Sequence, residues 1–475
     1  MSARQPAATA LGALRGRAVL LLNWRDVRHP RAGGAELYAH QIAKRWVAAG
    51  VKVTWLTARP PGAPGREVID GVQVLRRGGE FSLYPAAAAS MVRYGGLFDA
   101  VVDCQNGIPF FAPAFVRRST AVVQVVHHVH QDQFGAHFGK PVAAVGRLLE
   151  GPVSRRVYGD RAMVAVSPST RREMRAALRV RGPVFVVPNG NEPPAHRAGP
   201  RDPEPTIALV SRLVAHKRVD RLLRALPEVV AAVPDLRVEI IGDGKQRRAL
   251  ELLAGELGLR GAVRFRGRLS DQRRDELMQR AWLTTSTSQG EGWGCTVLEA
   301  ARFGVPCLAL SAAGIDDSVR HGHTGWVVPD ADALAPALIG ALGELADDGT
   351  AAAMSDNCRS WASAFTWDRS AELLAGVVLG EVERRAAGVK DRRSARSDLA
   401  TAVRFRVPLD VPPPRGRRTD QVRVVGDLGS ALLHGCDELD AEAVLSRWNV
   451  EPVSIELATE EHLLTGVALP TAARA

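Results

Sequence analysis

The chain has 475 residues, 46% of them apolar and 5% aromatic, enough for two or three domains with cores of their own. No apolar run reaches the ~18–20 residues of a membrane span, and the five cysteines (Cys104, Cys295, Cys307, Cys358, Cys436) are scattered without metal spacing, as in a reducing cytoplasm. A net charge of +11 suits anionic lipid or phosphorylated ligands, although an arginine-rich composition alone gives the same number; no nucleic-acid motif accompanies it, so nucleic acid is not an expected partner.

The N-terminus, Met1 to Arg17, is Ala-rich and too broken for a signal peptide, and reads as a disordered leader. Arg17 to Trp24 is a continuous apolar run and predicts a buried strand. Gly33-Gly34-Ala35-Glu36 opens a helix that Gly50 ends, and Val51 to Ala58 is the next strand. Strands follow over 71–76, 98–103, 121–126, 162–166 and 184–187, the last running into Pro188-Asn189-Gly190. Asn191 to Pro205, rich in Pro, Arg and acids, predicts a linker. The alternation then restarts, with strands over 206–210, 237–241, 263–266, 283–285, 307–310 and 325–328 and helices over 219–233 and 245–257. A further helix follows Trp367 to about Arg385.

The expected class is α/β, with two doubly wound Rossmann-like domains facing a cleft and a small C-terminal module. The expected boundaries are 1–190, the acceptor side; 191–385, the donor side; 386–420, a basic linker; and 421–475, an accessory module of unassigned role. The linker rests on eleven Lys/Arg against three Asp/Glu from Arg384 to Arg418 and on Pro412-Pro413-Pro414.

Gln289 to Gly304, QGEGWGCTVLEAARFG, carries the densest chemistry. Glu291 lies in a glycine-rich loop and Glu299 eight positions on, in the opening turns of a helix. Glycines at a helix start let backbone N–H groups approach an anion. Acids beside such a site suit hydroxyls, and a nucleotide sugar offers both groups. Arg212 and Lys217, just past the strand over 206–210, suit a diphosphate, though two solvated cations look the same in isolation. Gly242-Asp243-Gly244 is a tight turn, and Gly33-Gly34 a helix start that could face a diphosphate or serve as a plain βα turn. His127, His128 and His130 end a strand. No cysteines or paired carboxylates support metal ligation there. A hydrogen bond to a substrate hydroxyl, or help in moving a proton, fits one of them, and a structural role fits the rest.

Glu291 to Ala300 resembles the Glu-x7-Glu motif of retaining GT-B glycosyltransferases, family 4. In order, Gly33-Gly34-Ala35-Glu36, His127, Val166-Ser167-Pro168-Ser169, Pro188-Asn189-Gly190, Arg212 with Lys217, and Ile241-Gly242-Asp243-Gly244 match it too, from about Arg17 to Arg385. Asn191-Glu192 departs from the family's usual Val-Asp. The resemblance implies that Arg212 and Lys217 grip the donor diphosphate, Glu299 binds ribose hydroxyls, and Glu291 contacts the transferred sugar. Gly33, Gly34 and Gly242 would line the donor site, Gly292, Trp293 and Gly294 would supply it with backbone donors, and His127 would hold a sugar hydroxyl near the acceptor. It also implies a UDP- or GDP-linked donor, no cofactor and no metal. Configuration would be retained by front-face attack, with the leaving phosphate taking the acceptor proton.

The expected activity is hexosyl transfer to a hydroxyl of a carbohydrate, lipid or other small acceptor. A nucleotide-sugar epimerase or hydrolase, or a non-catalytic sugar-binding protein on the same fold, is the alternative. The expected location is cytoplasmic, with peripheral contact on the inner face of the membrane left open.

Overall fold

The computed structural model describes residues 9–194, 199–387, 400–408, 411–417, 420–436 and 438–467. The chain divides into two compact units, Met1–Gly190 with Trp367–Ala475, and Asn191–Thr366.

The first unit holds an eight-stranded sheet of β1 (Ala18–Leu22), β2 (Lys52–Thr57), β3 (Arg66–Ile69), β4 (Val72–Arg76), β5 (Ala100–Gln105), β6 (Ala121–Val126), β7 (Met163–Ala165) and β8 (Val184–Val186). Their order is β3-β4-β2-β1-β5-β6-β7-β8. All neighbours are parallel except β3 and β4. β5 and β6 are buried along their whole length, which is why they read as unbroken apolar runs. β3 escaped the sequence reading because it is a short edge strand whose Arg66 and Glu67 break the apolar pattern.

The helix Trp367–Ala386 belongs to this unit, not to the donor half where the periodicity placed it. It covers the helix Gly34–Ala48, where Trp46 and Tyr38 are fully buried. The Trp46 indole N–H donates to the Ala371 carbonyl at 3.0 Å, and the Tyr38 and Trp367 rings meet edge-on at 6.2 Å. The same helix orders part of the expected leader. Thr9 caps a short helix, Ala10–Ala13, whose Ala10 and Leu11 N–H groups donate to the Glu372 carboxylate. Residues 1–8 of that leader lie outside the described residues.

The second unit is a six-stranded parallel sheet of β9 (Thr206–Val210), β10 (Arg237–Ile241), β11 (Val263–Gly267), β12 (Leu283–Ser286), β13 (Cys307–Leu310) and β14 (Gly325–Val328). The order is β11-β10-β9-β12-β13-β14. Chain order therefore reverses between β9 and β12, the switch point where open α/β sheets bind ligands beyond the strands' carboxyl ends. The expected linker is tied to this unit at both ends of its described part. The Asn191 amide donates to the Ala362 and Phe365 carbonyls, each at 2.8 Å, joining the unit's first and last segments. Arg201 stacks on Trp282 at 4.1 Å, and Arg280 pairs with Asp202.

A third sheet corrects the basic linker. β15 (Ala400–Arg406), β16 (Gln421–Val425), β17 (Leu428–His434) and β18 (Glu451–Leu457) are antiparallel in the order β16-β17-β15-β18. β15 is an interior strand, so the module begins at Ala400 rather than near Gln421. The basic residues masked its alternation: Arg404 and Arg406 face away from Val403 and Phe405, which are fully buried. Phe405 packs at a tilt against Trp448 of the helix Glu438–Trp448, ring centroids 5.7 Å apart, over the gap left by Gly429. Residues 388–399, 409–410 and 418–419 of the expected linker lie outside the described residues.

Candidate active site

In the second unit, the loops after β9 and β12 bring together residues far apart in sequence. Lys217 forms an ion pair with the Glu291 carboxylate, whose Oε1 also accepts the Ser288 hydroxyl at 2.7 Å. The loops are held by backbone bonds: Gln289 N–H donates to the His216 carbonyl and Glu291 N–H to the Ala313 carbonyl, both at 2.9 Å. Burial pushes the Glu291 carboxyl up, but Lys217 and the Ser288 hydroxyl more than offset it, and the carboxyl lies below its ordinary range. Arg212 is exposed, and its guanidinium carries no ion pair or hydrogen bond among the described residues. One cation is thus prearranged on a carboxylate and the other is left for solvent or ligand.

Gly294 has φ +68° and precedes the helix Cys295–Ala301; a Cβ there would lie 2.6 Å from the Ser318 hydroxyl. Glycine is needed for the turn and for close packing. The Trp293 side chain is 2% exposed and its ring packs on Phe365 at 5.0 Å, so the ring belongs to the core and only the backbone is left for the expected donor contact. Gly242 has φ +133° and a Cβ would sit 1.9 Å from the Ser211 carbonyl oxygen, so the glycine lets two loops cross. Gly314 does the same under the acidic loop, where a Cβ would lie 2.2 Å from the Glu291 carbonyl oxygen. Sequence reasoning missed Gly314 and Ser288, although a glycine a few residues past β13 was a readable sign of close approach.

Glu299 is half-buried on the helix Cys295–Ala301 and accepts no hydrogen bond among the described residues. Burial raises its carboxyl above the ordinary range, against the opposing pull of Arg274 and Arg302.

In the first unit, Gly33 lies just before the helix Gly34–Ala48, and its N–H donates to Glu36 Oε2 at 2.7 Å. Glu36 is buried; its Oε1 accepts from Arg25 at 3.0 Å and from the Asn106 amide at 3.3 Å. Asn106 also donates to the Asn23 side-chain carbonyl at 3.0 Å, while the Asn23 amide nitrogen is buried without a partner. The carboxyl ends of β1 and β5 are therefore polar and only partly satisfied.

His127 follows β6 and is buried edge-on against Tyr38 at 5.0 Å. Burial, with help from His130, lowers its pKa to about 3, so the ring is neutral at physiological pH. Its Nε2 is buried without a partner. A neutral ring suits a hydrogen bond to a hydroxyl, one of the two roles expected of it. His128 and His130 meet edge-on at 5.3 Å. The His130 N–H donates at 2.8 Å to buried Glu150, which also accepts from Gln105 and Gln131. Among the described residues, no group of three or more His, Cys, Asp or Glu is arranged to hold a metal ion. Asp103, also missed in the sequence, shapes the loop after β5. It accepts from the Tyr158 hydroxyl and from the Phe110 and Ala112 N–H groups, and burial raises its pKa to about 6 despite these bonds.

The family models match both halves: Glycosyltransferase Family 4 over residues 32–193 and Glycosyl transferases group 1 over residues 194–361. A GDP-mannose-dependent alpha-(1-6)-phosphatidylinositol monomannoside mannosyltransferase of Mycolicibacterium smegmatis is 30% identical over 387 residues, 75% of this chain and 98% of the relative. The chain belongs to the group 1, family 4 glycosyltransferases. A D-inositol 3-phosphate glycosyltransferase of Acidothermus cellulolyticus is 27% identical, over 77% of this chain and 89% of its own length. Among solved structures, a sucrose-phosphate synthase from Thermosynechococcus elongatus aligns with a TM-score of 0.61 at 21% identity, covering 78% of this chain and 99% of the other. WaaG, a glycosyltransferase involved in lipopolysaccharide biosynthesis, aligns at 0.59 and 19% identity, covering 76% and 100%. These likenesses identify the GT-B fold. The glycosyltransferase is thus an enzyme that uses a nucleotide-sugar donor, and every site residue named from its sequence lies inside the matched segments. The C-terminal sheet lies beyond them.

Proposed function

We propose that this glycosyltransferase moves a hexosyl group, with retention, from a UDP- or GDP-linked sugar to a hydroxyl of a carbohydrate, lipid or other small acceptor. The observation that carries the reading is the cluster at the β9/β12 switch point, where Lys217, Glu291 and Ser288 interlock in a half-buried site. Arg212 and Lys217 meet the growing charge on the leaving diphosphate, a preorganised electrostatic site. The Lys217–Glu291 pair opens as the diphosphate arrives, which frees Glu291 for hydroxyls of the transferred sugar. Glu299, a carboxylate without a hydrogen-bond partner among the described residues, takes the ribose diol. Gly33 leaves the start of its own helix open to a ligand: its φ of −149° suits any residue, and a Cβ would meet only Glu36 at 3.7 Å. His127 Nε2 and the Asn23 amide, buried without partners, support hydrogen bonds to sugar hydroxyls at the acceptor side. The leaving phosphate takes the acceptor proton, which needs no basic histidine.

Transfer and donor-only chemistry are separated by proton NMR of GDP-mannose and UDP-glucose with and without candidate acceptors. A new α-glycosidic signal that requires acceptor supports the reading. Conversion of donor alone to an epimer or free sugar at the same rate supports the epimerase or hydrolase instead.

A lipid acceptor and peripheral membrane contact are part of the reading. The M. smegmatis relative is named for a phosphatidylinositol monomannoside substrate. The helix Lys140–Leu148 buries its small residues, Ala143 and Gly146, with Gly146 against the Phe134 ring. It turns its large ones outward: Val142 is 58% exposed, Val145 53% and Leu148 51%. Lys140 and Arg147 lie on the same helix, are exposed, and carry no ion pair among the described residues. Apolar side chains flanked by cations fit the headgroup region of an anionic bilayer. Co-sedimentation with phosphatidylcholine vesicles, with and without phosphatidylinositol, tests it. Binding that requires the anionic lipid and is lost in Val142→Glu/Val145→Glu supports the contact, and equal binding of the variant removes it.

A further inference from the structure

Glu299 lies on the helix Cys295–Ala301 and Arg302, three positions on, is that helix's C-cap, a spacing at which a carboxylate and a guanidinium can meet. They do not pair. Arg302 Nη2 donates instead to Asp275 Oδ2 at 2.6 Å, and its Nη1 to the Glu192 carbonyl at 3.0 Å. Arg274, the other cation near Glu299, is held in the same way. Its Nε and Nη2 donate to Asp275 Oδ1 at 3.1 and 2.8 Å, and its Nη1 to Asp271 at 2.9 Å. One carboxylate thus occupies two arginines that would otherwise close on Glu299. The Asp275 side chain is 31% exposed, and those of Arg274 and Arg302 are 26% and 11%, so the contacts are shielded from water.

We propose that Asp275 is a positioning residue for donor recognition: it holds Arg274 and Arg302 away from Glu299 and so keeps that carboxylate open to a vicinal diol. The inference rests on the reading of Glu299 as the ribose-binding residue. A carboxylate locked in a bidentate arginine pair has its lone pairs occupied and its geometry fixed by the partner. A carboxylate that the arginines do not contact keeps its lone pairs free and can accept two hydroxyls, so holding Arg274 and Arg302 engaged elsewhere serves the diol. Asp275 sits on the helix Asp271–Arg280 and touches no residue of the Lys217–Glu291 pair, so its effect is specific to the ribose end of the site.

Calorimetric titration of the full chain tests this, with UDP and GDP and with the 2′,3′-dideoxy form of whichever binds. The wild type should prefer the ribonucleotide by about tenfold or more, since a site built for hydroxyls is left unpaired without them. Glu299→Gln should bring the ratio near one. Asp275→Asn should bring it close to the Glu299→Gln value while leaving dideoxynucleotide affinity within about twofold, a pattern that general damage to the fold does not give. Full discrimination in Asp275→Asn, together with its loss in Glu299→Gln, overturns the role of Asp275 and leaves the reading of Glu299 intact. Full discrimination in Glu299→Gln overturns the reading of Glu299 and the inference with it. If Asp275→Asn binds neither form, Arg302→Gln is added in that background. Recovery of ribonucleotide preference then supports the inference, and no recovery rejects it.

Discussion

Replacing Lys217 with methionine keeps the length of the side chain and removes the charge that faces Glu291. The wild-type pair is largely shielded, with side-chain exposures of 16% for Lys217 and 21% for Glu291, so the orphaned carboxylate is left in a poorly hydrated place with the Ser288 hydroxyl, at 2.7 Å, as its remaining side-chain donor among the described residues. Breaking one side of such a pair costs about 1–3 kcal/mol, less than a fully buried pair and more than an exposed one. The second unit spans Asn191–Thr366. For a unit of that size the loss corresponds to a fall of roughly 3–9 °C in Tm. The pH dependence separates this cause from simple packing loss. The Glu291 carboxyl lies below its ordinary range in the wild type, so it adds stability above pH ~4.5 and loses it as pH falls through the folded value. In Lys217→Met the burial that remains pushes the same carboxyl up, so the variant is penalised most at neutral pH. Thermal denaturation at pH 7.5 and pH 4 should show a large gap between the two proteins at the higher pH and a small one at the lower. Adding Glu291→Gln to Lys217→Met should recover most of the loss at pH 7.5. Equal losses at both pH values, or no recovery in the double variant, would refute the account of the pair.

Gly242→Ala should destabilise the second unit by about 3 kcal/mol or more, because the Cβ meets the Ser211 carbonyl at 1.9 Å and φ is +133°; urea denaturation checks it. Trp293→Phe should cost less than about 1.5 kcal/mol and leave nucleotide affinity unchanged, whereas Trp293→Ala should cost about 3–5 kcal/mol by opening a cavity beside Phe365. His127 has a folded pKa lowered to about 3, so the unfolded chain takes up its proton first and stability falls as pH drops from ~6.5 towards 3. His127→Gln should flatten the stability profile in that window, as read by denaturant titrations across it.

The alternating pattern of the two halves was legible because parallel strands buried on both faces, such as β5 and β6, leave unbroken apolar runs. β15 was not, because its outward positions carry Arg404 and Arg406, and a charge count over the segment outweighs a period of two. The helix Trp367–Ala386 was read correctly as a helix but assigned to the wrong unit, since periodicity shows that a face is buried and not against what. In the site, Lys217 and Glu291 were each picked out from charge and position, but their pairing was not, because Lys217 was read with Arg212 as a diphosphate ligand. The core packing of the Trp293 ring and the loop crossing at Gly242 could not be read in advance: a tryptophan or a glycine in a loop carries the same letter whether it meets a ligand, a core ring or a crossing backbone. Asp275 was invisible for a related reason. Its role depends on Arg302, 27 positions away, being engaged elsewhere.

If the β9/β12 switch point holds a nucleoside diphosphate, Arg212 is the residue that shows it most cleanly, because its exposed guanidinium has no partner among the described residues. Calorimetric titration with UDP and GDP should show binding of one of them, weakened about tenfold or more in Arg212→Ala and in Glu299→Ala, with the Tm of Arg212→Ala unchanged. Binding of neither nucleotide to the wild type, or binding that both substitutions leave intact, would contradict the claim.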